Sequence, residues 1–256
     1  MSFTVRDLSV RLGGVPVLQG LDFTLPPQGI TGTIGANGCG KTTLLRALAG
    51  VLPLDAGSVQ HEGQDIAALS AKARARRIAL LPQSGHAPPG LTVRQLVASG
   101  RTPWLRPFLP MAAADHAAVA RAMAAVGLED LADRAVESLS GGQRQRAWIA
   151  LVLAQESGTI LLDEPLNHLD LPHQAGLVQL LRDLKQARSI VMILHDLTVA
   201  ARSCDHILAL RDGRLVASGP PDMVLAERPL AQTFGIEFEV STMPSSGKRV
   251  VLPEGF

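Results

Sequence analysis

Apolar and polar positions alternate through "SFTVRDLSVRL" and again through "GLDFTLP", which predicts two strands forming a hairpin closed near Gly13 and Gly14. "QGITGTIG" reads as a buried strand running into a glycine-rich loop, and "KTTLLRALAGVL" has helical spacing from Lys41 onward. "LSAKARARR" predicts a short basic helix, "IALLPQ" a buried strand ended by Pro82, and "LTVRQLVAS" a helix capped by Thr92. From Ala112 the pattern turns alanine-rich and helical as far as Gln155, punctuated by Gly127 and the Gly141–Gly142 pair. Strands then return. "TILLDEP", "SIVMIL", "HILAL" and "RLVASG" alternate with helices in "PHQAGLVQLLRDLKQA" and "DLTVAARSC", and two short helices, "PDMVLAE" and "PLAQTFG", follow. The tail from about Ile236 reads as loosely attached. This order, β then α/β then helical insert then α/β, predicts an α/β fold with a mostly parallel sheet and an inserted helical subdomain.

Composition adjusts this picture only slightly. Of 256 residues 46% are hydrophobic, enough for a sizeable core. The formal net charge is +1, from 24 basic and 23 acidic side chains, which argues against a nucleic-acid partner. Two cysteines, Cys39 and Cys204, are too few for a disulfide framework. The N-terminus lacks the basic start and apolar run of a signal peptide, and the longest apolar runs fall short of the about 18 residues of a membrane span. A membrane role would therefore come through a partner.

Three stretches carry candidate chemistry. Gly35, Gly40, Lys41 and Thr42 fit G-x-x-x-x-G-K-[ST]. Glycines let the backbone gather its N–H groups around phosphate oxygens, and the following helix offers its positive end to the same anion. Lys41 can reach the outer phosphates, and the Thr42 hydroxyl can ligate Mg²⁺. "TILLDEP" places Asp163 and Glu164 at the end of an apolar strand, where ligands of parallel sheets sit. Asp163 would hold the Mg²⁺ shell, and Glu164 would polarise the attacking water. In "LSGGQRQR", Ser140 caps a helix whose first residues, Gly141 and Gly142, leave amides open to a second anion.

Together these stretches resemble the ATP-binding cassette family. Six motifs occur in family order and cover about residues 2 to 235: the phosphate loop from Gly35 to Thr43, "LLPQ" with Gln83, "LSGGQ", "LLDEP", "NHLD" ending at Asp170, and "LHD" with His195. The resemblance implies one cassette domain. Its β and nucleotide-binding core would span 1–83 and 145–235, its helical insert 84–144 and its C-terminal tail 236–256. It also implies ATP and Mg²⁺ as ligands and a head-to-tail dimer with a second copy of the chain. Each ATP would lie between one copy's loop (Gly35, Asn37, Gly38, Cys39, Gly40, Lys41, Thr42, Thr43) and the other copy's Ser140, Gly141, Gly142 and Gln143. Gln83 would contact Mg²⁺ and water, Asp170 would sit at the dimer centre, and His195 would contact the γ-phosphate and hold Glu164 and the water in line. The remaining histidines, His61, His86, His116, His168, His173 and His206, show no metal-ligand spacing.

The chain departs from the family pattern at three places. The aromatic that usually stacks on adenine is replaced by Leu12, and the chain has no tyrosine. The segment before Asp170 reads "LNHLD", with Asn167 keeping hydrogen-bonding capacity. Position 39 is cysteine where serine is usual. Its thiol is open to two readings, a reactive group near a helix N-terminus or an inert filler.

No fused membrane segment, second cassette or coiled coil is apparent, and "GLTVRQLVASGRTPW" and "LDLPHQ" resemble the importer branch serving iron–siderophore, haem and vitamin B12 uptake. The resemblance implies an ATPase on the cytoplasmic face of the membrane, working with polytopic permease subunits and, indirectly, a substrate-binding protein. Iron–siderophore complexes are the expected cargo, with haem or vitamin B12 as alternatives. Two other readings are a non-transport cassette ATPase and a soluble phosphotransferase; "LSGGQ" with "LHD" argues against the second. The stretch from Gln83 to Trp104 is expected to dock a permease loop, and Trp104 and Phe108 read either as partner contacts or as satellite packing.

Overall fold

A computed structural model describes residues 3–83, 85, 87–167, 169–243 and 249–254. The chain begins with strands β1 (Phe3–Leu12), β2 (Val15–Thr24) and β3 (Gly29–Ile34), then helix α1 (Lys41–Leu48) and strands β4 (Ala56–His61) and β5 (Gln64–Asp65). It continues with α2 (Ala71–Arg77), β6 (Ile78–Leu81), α3 (Val93–Ser99), α4 (Ala113–Ala125), α5 (Gly141–Ala154), β7 (Thr159–Leu162) and α6 (Leu171–Leu184). The last part holds β8 (Ser189–Ile193), α7 (Leu197–Ser203), β9 (His206–Arg211), β10 (Arg214–Gly219), α8 (Pro221–Val224), α9 (Glu227–Phe234), β11 (Phe238–Thr242) and β12 (Arg249–Pro253). These elements group into two compact units, residues 1–68 with 184–256, and residues 69–183.

In the first unit, the hairpin anticipated at Gly13 and Gly14 joins β1 to β2, and an antiparallel sheet runs β2-β1-β4-β5. Beside it β3 lies parallel to both β8 and β9, with β10 added antiparallel to β9. All five residues of β8 are buried, as are five of the six in β3, which is why both read as continuous apolar runs rather than alternations. Asp205 fixes the start of β3. One carboxylate oxygen accepts from the Ile30 amide at 2.8 Å, and the other from Lys185 Nζ at 2.6 Å. The tail is more firmly held than its sequence suggested. β11 and β12 pair antiparallel, Phe238 and Val251 are buried, and Phe238 meets the Phe234 ring at 5.6 Å. Arg249 adds a bond to the Leu225 carbonyl at 3.2 Å.

In the second unit β6 and β7 pair in parallel, from Ile78 opposite Thr159 to Leu81 opposite Leu162. Helices α3, α4 and α5 bury Val93, Leu96 and Val97 against Ala118, Val119, Ala122, Ala147 and Ala150, so the alanine-rich text becomes a closely packed helical cluster. One buried cation ties this cluster together. Arg101, 6% exposed, donates to Asp115 at 2.9 Å, to the Ala154 carbonyl at 2.7 Å and to Glu156 at 2.8 Å. The bond from Arg101 holds the Asp115 carboxyl below the usual carboxylate range, against the opposing effect of its burial. Among the described residues no helix is long and apolar enough to cross a membrane.

Candidate functional site

The phosphate loop belongs to the first unit. It leaves β3 at Gly35, whose φ is 148° and where a Cβ would come within 2.2 Å of the Leu210 carbonyl. Gly40 closes it at φ 105°, with an added Cβ only 2.7 Å from Leu18 Cδ2. Both positions therefore disfavour a side chain by conformation, and Gly35 also excludes one by space. Helix α1 starts at Lys41 as its spacing predicted, with Gly40 as a left-handed N-cap that supplies no side-chain bond. Lys41 is 6% exposed, and its ammonium donates to the carbonyls of Gly35 at 2.8 Å and Ala36 at 2.9 Å. The loop thus holds its own cation at its centre. Asn37 and Gly38 are exposed at its rim, while Thr42 is half-buried and Thr43 buried.

Cys39 is packed into this loop, 5% exposed, with its sulfur 2.7 Å from where a Gly35 Cβ would lie. Burial pushes its thiol above the ordinary value, and the nearby Lys41 charge only partly offsets this. Of the two readings of Cys39, the structure favours the inert filler over the reactive thiol. Leu12 ends β1 opposite Val15, and both are exposed, at 43% and 64%. The hairpin therefore presents a small aliphatic surface where an aromatic was missed. His195 is exposed just past β8, whose end is held beside β3 by a bond from the Leu194 amide to the Thr33 carbonyl at 3.1 Å. On its other side Asp196 caps α7, accepting from the amides of Thr198 at 2.7 Å and Val199 at 3.0 Å. A strand end and a capped helix thus fix where His195 can stand.

The second unit carries the carboxylates. Asp163 is 2% exposed at the end of β7, and its amide donates to the Leu81 carbonyl at 3.0 Å. Glu164 follows in a left-handed backbone conformation, φ 52°, which for a residue with a Cβ costs about 1–2 kcal/mol and is met mainly at constrained sites. Gln83, just past β6, donates its amide to Glu164 Oε2 at 3.0 Å. Asn167 donates to the same oxygen. The sequence paired neither amide with this carboxylate. Gly85 approaches so closely that a Cβ there would fall 2.2 Å from the Trp148 ring of α5.

Ser140 caps α5 as expected, and the pair is reciprocal. Ser140 Oγ accepts from the Gln143 amide at 3.3 Å, and Gln143 Oε1 accepts from the Ser140 amide at 3.1 Å. Ser140 and Gly141 are exposed, and Gly142 and Gln143 half-buried. Ser140, Gly142, Gln143, Arg146, Asp170 and His173 line a cavity of about 300 Å³. The structure thus brings Asp170 to Ser140, Gly142 and Gln143 and adds two side chains that the six motifs did not mark, Arg146 and His173. His173 bonds Asp170 through both its ring and its backbone amide, which holds the Asp170 carboxyl below its ordinary value. Helical spacing offered a signal for Arg146, since it lies three and four residues on from Gln143 and Gly142. His86 and His168 lie outside the described residues.

Trp104 is packed against its own unit and partly exposed at once. Its indole N–H donates to the Gln155 carbonyl at 2.7 Å and its ring lies beside the guanidiniums of Arg76 and Arg101, at 5.0 and 5.5 Å, yet it stays 37% exposed. Phe108 and Leu109 are exposed nearby in sequence.

A glycine loop with a central lysine, a buried aspartate followed by a tethered glutamate, and a serine-capped helix opening on an exposed cavity are the parts of an ATP-hydrolysing cassette. The family model described as ABC transporter matches residues 18–167, and the chain belongs to that family as one of its ATPases. Its similarity to individual proteins extends over nearly the whole length. It is 45% identical over 99% of its length to the probable siderophore transport system ATP-binding protein YusV of Bacillus subtilis, covering 93% of that protein. It is 42% identical over 98% of its length to the petrobactin import ATP-binding protein FpuD of Bacillus anthracis, covering 92% of it. Among solved structures, an inward-facing metal-chelate type ABC transporter matches with a TM-score of 0.85 at 28% identity, over 98% of this chain and 97% of that one.

Proposed function

We propose that the chain is the ATP-hydrolysing subunit of a membrane importer for iron–siderophore complexes. One observation carries the cargo: the two relatives above, named for siderophore transport and petrobactin import, align with 99% and 98% of this chain. In this reading the loop residues 35–43 bind the triphosphate of ATP, with Leu12 covering the base by apolar contact. Glu164 acts as general base, and Gln83 and His195 order the attacking water and the γ-phosphate. Ser140, Gly141, Gly142 and Gln143, together with Asp170, serve the nucleotide of a second copy in a head-to-tail dimer. Closure of that dimer on ATP and its opening after hydrolysis would drive the permease subunits from the cytoplasmic face of the membrane.

The donor chemistry suits Mg²⁺. Oxygen donors are present as the Thr42 hydroxyl in the first unit and, in the second, as the buried Asp163 carboxylate and the side-chain oxygen of Gln83. When bound, the ion supplies charge neutralisation on the phosphates. The exposed Trp104, Phe108 and Leu109 are assigned to the permease contact.

The test is uptake of iron-labelled ferric siderophore, haem and cobalamin by cells whose only copy carries Glu164→Gln. Siderophore uptake is expected to stop. Unchanged siderophore uptake with loss of haem or cobalamin uptake would reassign the cargo.

A further inference from the structure

Glu164 is carried on a short turn that receives hydrogen bonds from several neutral side-chain amides. The Asn167 backbone N–H donates to the Glu164 carbonyl at 3.2 Å, closing the turn around Pro165 and Leu166. Gln145 of α5 donates to the Pro165 carbonyl at 3.3 Å. Gln174 of α6 donates to the carbonyls of Leu166 at 3.3 Å and Leu169 at 3.1 Å. Leu166 and Leu169 are buried beneath. The side-chain amides of Gln83 and Asn167 then converge on one oxygen of Glu164, Oε2, from positions 81 residues and three residues away in sequence.

This choice of donor has a chemical consequence. An arginine or lysine at either position would neutralise the carboxylate and fix it as half of an ion pair. A neutral amide orients the group by a hydrogen bond and brings no formal charge of its own. Glu164 itself stands in the left-handed region, φ 52°, within the turn that carries it.

We infer that Asn167 is a positioning residue for ATP hydrolysis, aiming the Glu164 carboxylate jointly with Gln83. The inference rests on the reading of Glu164 as general base. Asn167 acts through Glu164 and has no contact of its own with the nucleotide in this scheme.

The test uses the full chain assembled with its permease and compares Asn167→Ala, Asn167→Asp and Asn167→Ser. Asn167→Ala is expected to lower kcat about tenfold, the scale of one lost hydrogen bond to a charged group, with KM for ATP unchanged within about twofold. Asn167→Asp keeps the shape but replaces the donor by a like charge, and is expected to lose about a hundredfold. Asn167→Ser restores a donor and recovers part of the rate. Thermal unfolding and binding of a fluorescent ATP analogue confirm that each variant is folded. The inference is overturned if Asn167→Ala keeps kcat within twofold, if Asn167→Asp is no worse than Asn167→Ala, or if kcat and Tm fall together while KM rises. A Glu164→Gln assembly that hydrolyses ATP at the wild-type rate would instead defeat the reading of Glu164.

Discussion

Two helices of this chain begin at proposed phosphate contacts, and they begin differently. α1 starts from Gly40 in a left-handed conformation without a side-chain cap, and its first residue, Lys41, is buried with its ammonium on two carbonyls of its own loop. α5 starts from Ser140, exposed, with two backbone donors satisfied by the reciprocal Ser140–Gln143 box. A helix end capped by its own side chains is complete within the chain, whereas one opened by glycine and backed by a cation suits a ligand bearing several negative oxygens. In the site proposed to be shared between two copies, α1 is the end that takes the ligand and α5 the capped end.

The comparison breaks most visibly at Lys41. Lys41→Ala removes the one cation at the centre of the loop, and ATP affinity and hydrolysis are each expected to fall by about a hundredfold or more, as read by nucleotide titration and steady-state ATPase. Ser140→Ala should leave ATP binding to the isolated chain unchanged while abolishing the cooperative ATPase of the assembled transporter. It should also lower stability by about 1 kcal/mol through the lost cap. If it weakened ATP binding by the isolated chain as much as Lys41→Ala does, the distinction between the two helix ends would fall. A smaller effect concerns the base. With Leu12 in place of an aromatic, competition binding should give a preference for ATP over GTP of less than about tenfold, or ~1.4 kcal/mol, and Leu12→Tyr should raise it. The smallest effect is at Cys39. Its buried thiol, shifted upward, should alkylate slowly at pH 7 at similar rates with and without Mg-ATP, as followed by mass spectrometry. Fast alkylation that Mg-ATP blocks would restore the reactive reading.

What could be read from the text and what could not divide along physical lines. The helix starts at Lys41 and Ser140 and the cap at Thr92 were legible because each depends on residues within four positions of one another. The buried β8 and the hairpin at Gly13 and Gly14 were legible from periodicity and turn chemistry. The β11–β12 hairpin was not, since its anchors, Phe238 on Phe234 and Arg249 on the Leu225 carbonyl, reveal themselves only once the chain has folded back. The same holds for the two amides on Glu164 and for His173 on Asp170. Motifs name the groups that do chemistry, while the side chains that aim them are ordinary polar residues whose roles depend on tertiary contacts. Cys39 was ambiguous for a related reason. A helix N-terminus lowers a thiol pKa and burial raises it, and sequence shows the first but not the extent of the second.

Gly85 lies with its Cα against the indole of Trp148, close enough that the ring occupies the place of a side chain. Gly85 and the helix that opens at Ser140 therefore share an optical reporter. Trp148 is one of only two tryptophans, so Trp104→Phe would leave it as the sole indole emitter. In that background, the emission of one native residue would follow the packing of Gly85 against α5 through each cycle of turnover, with no label attached.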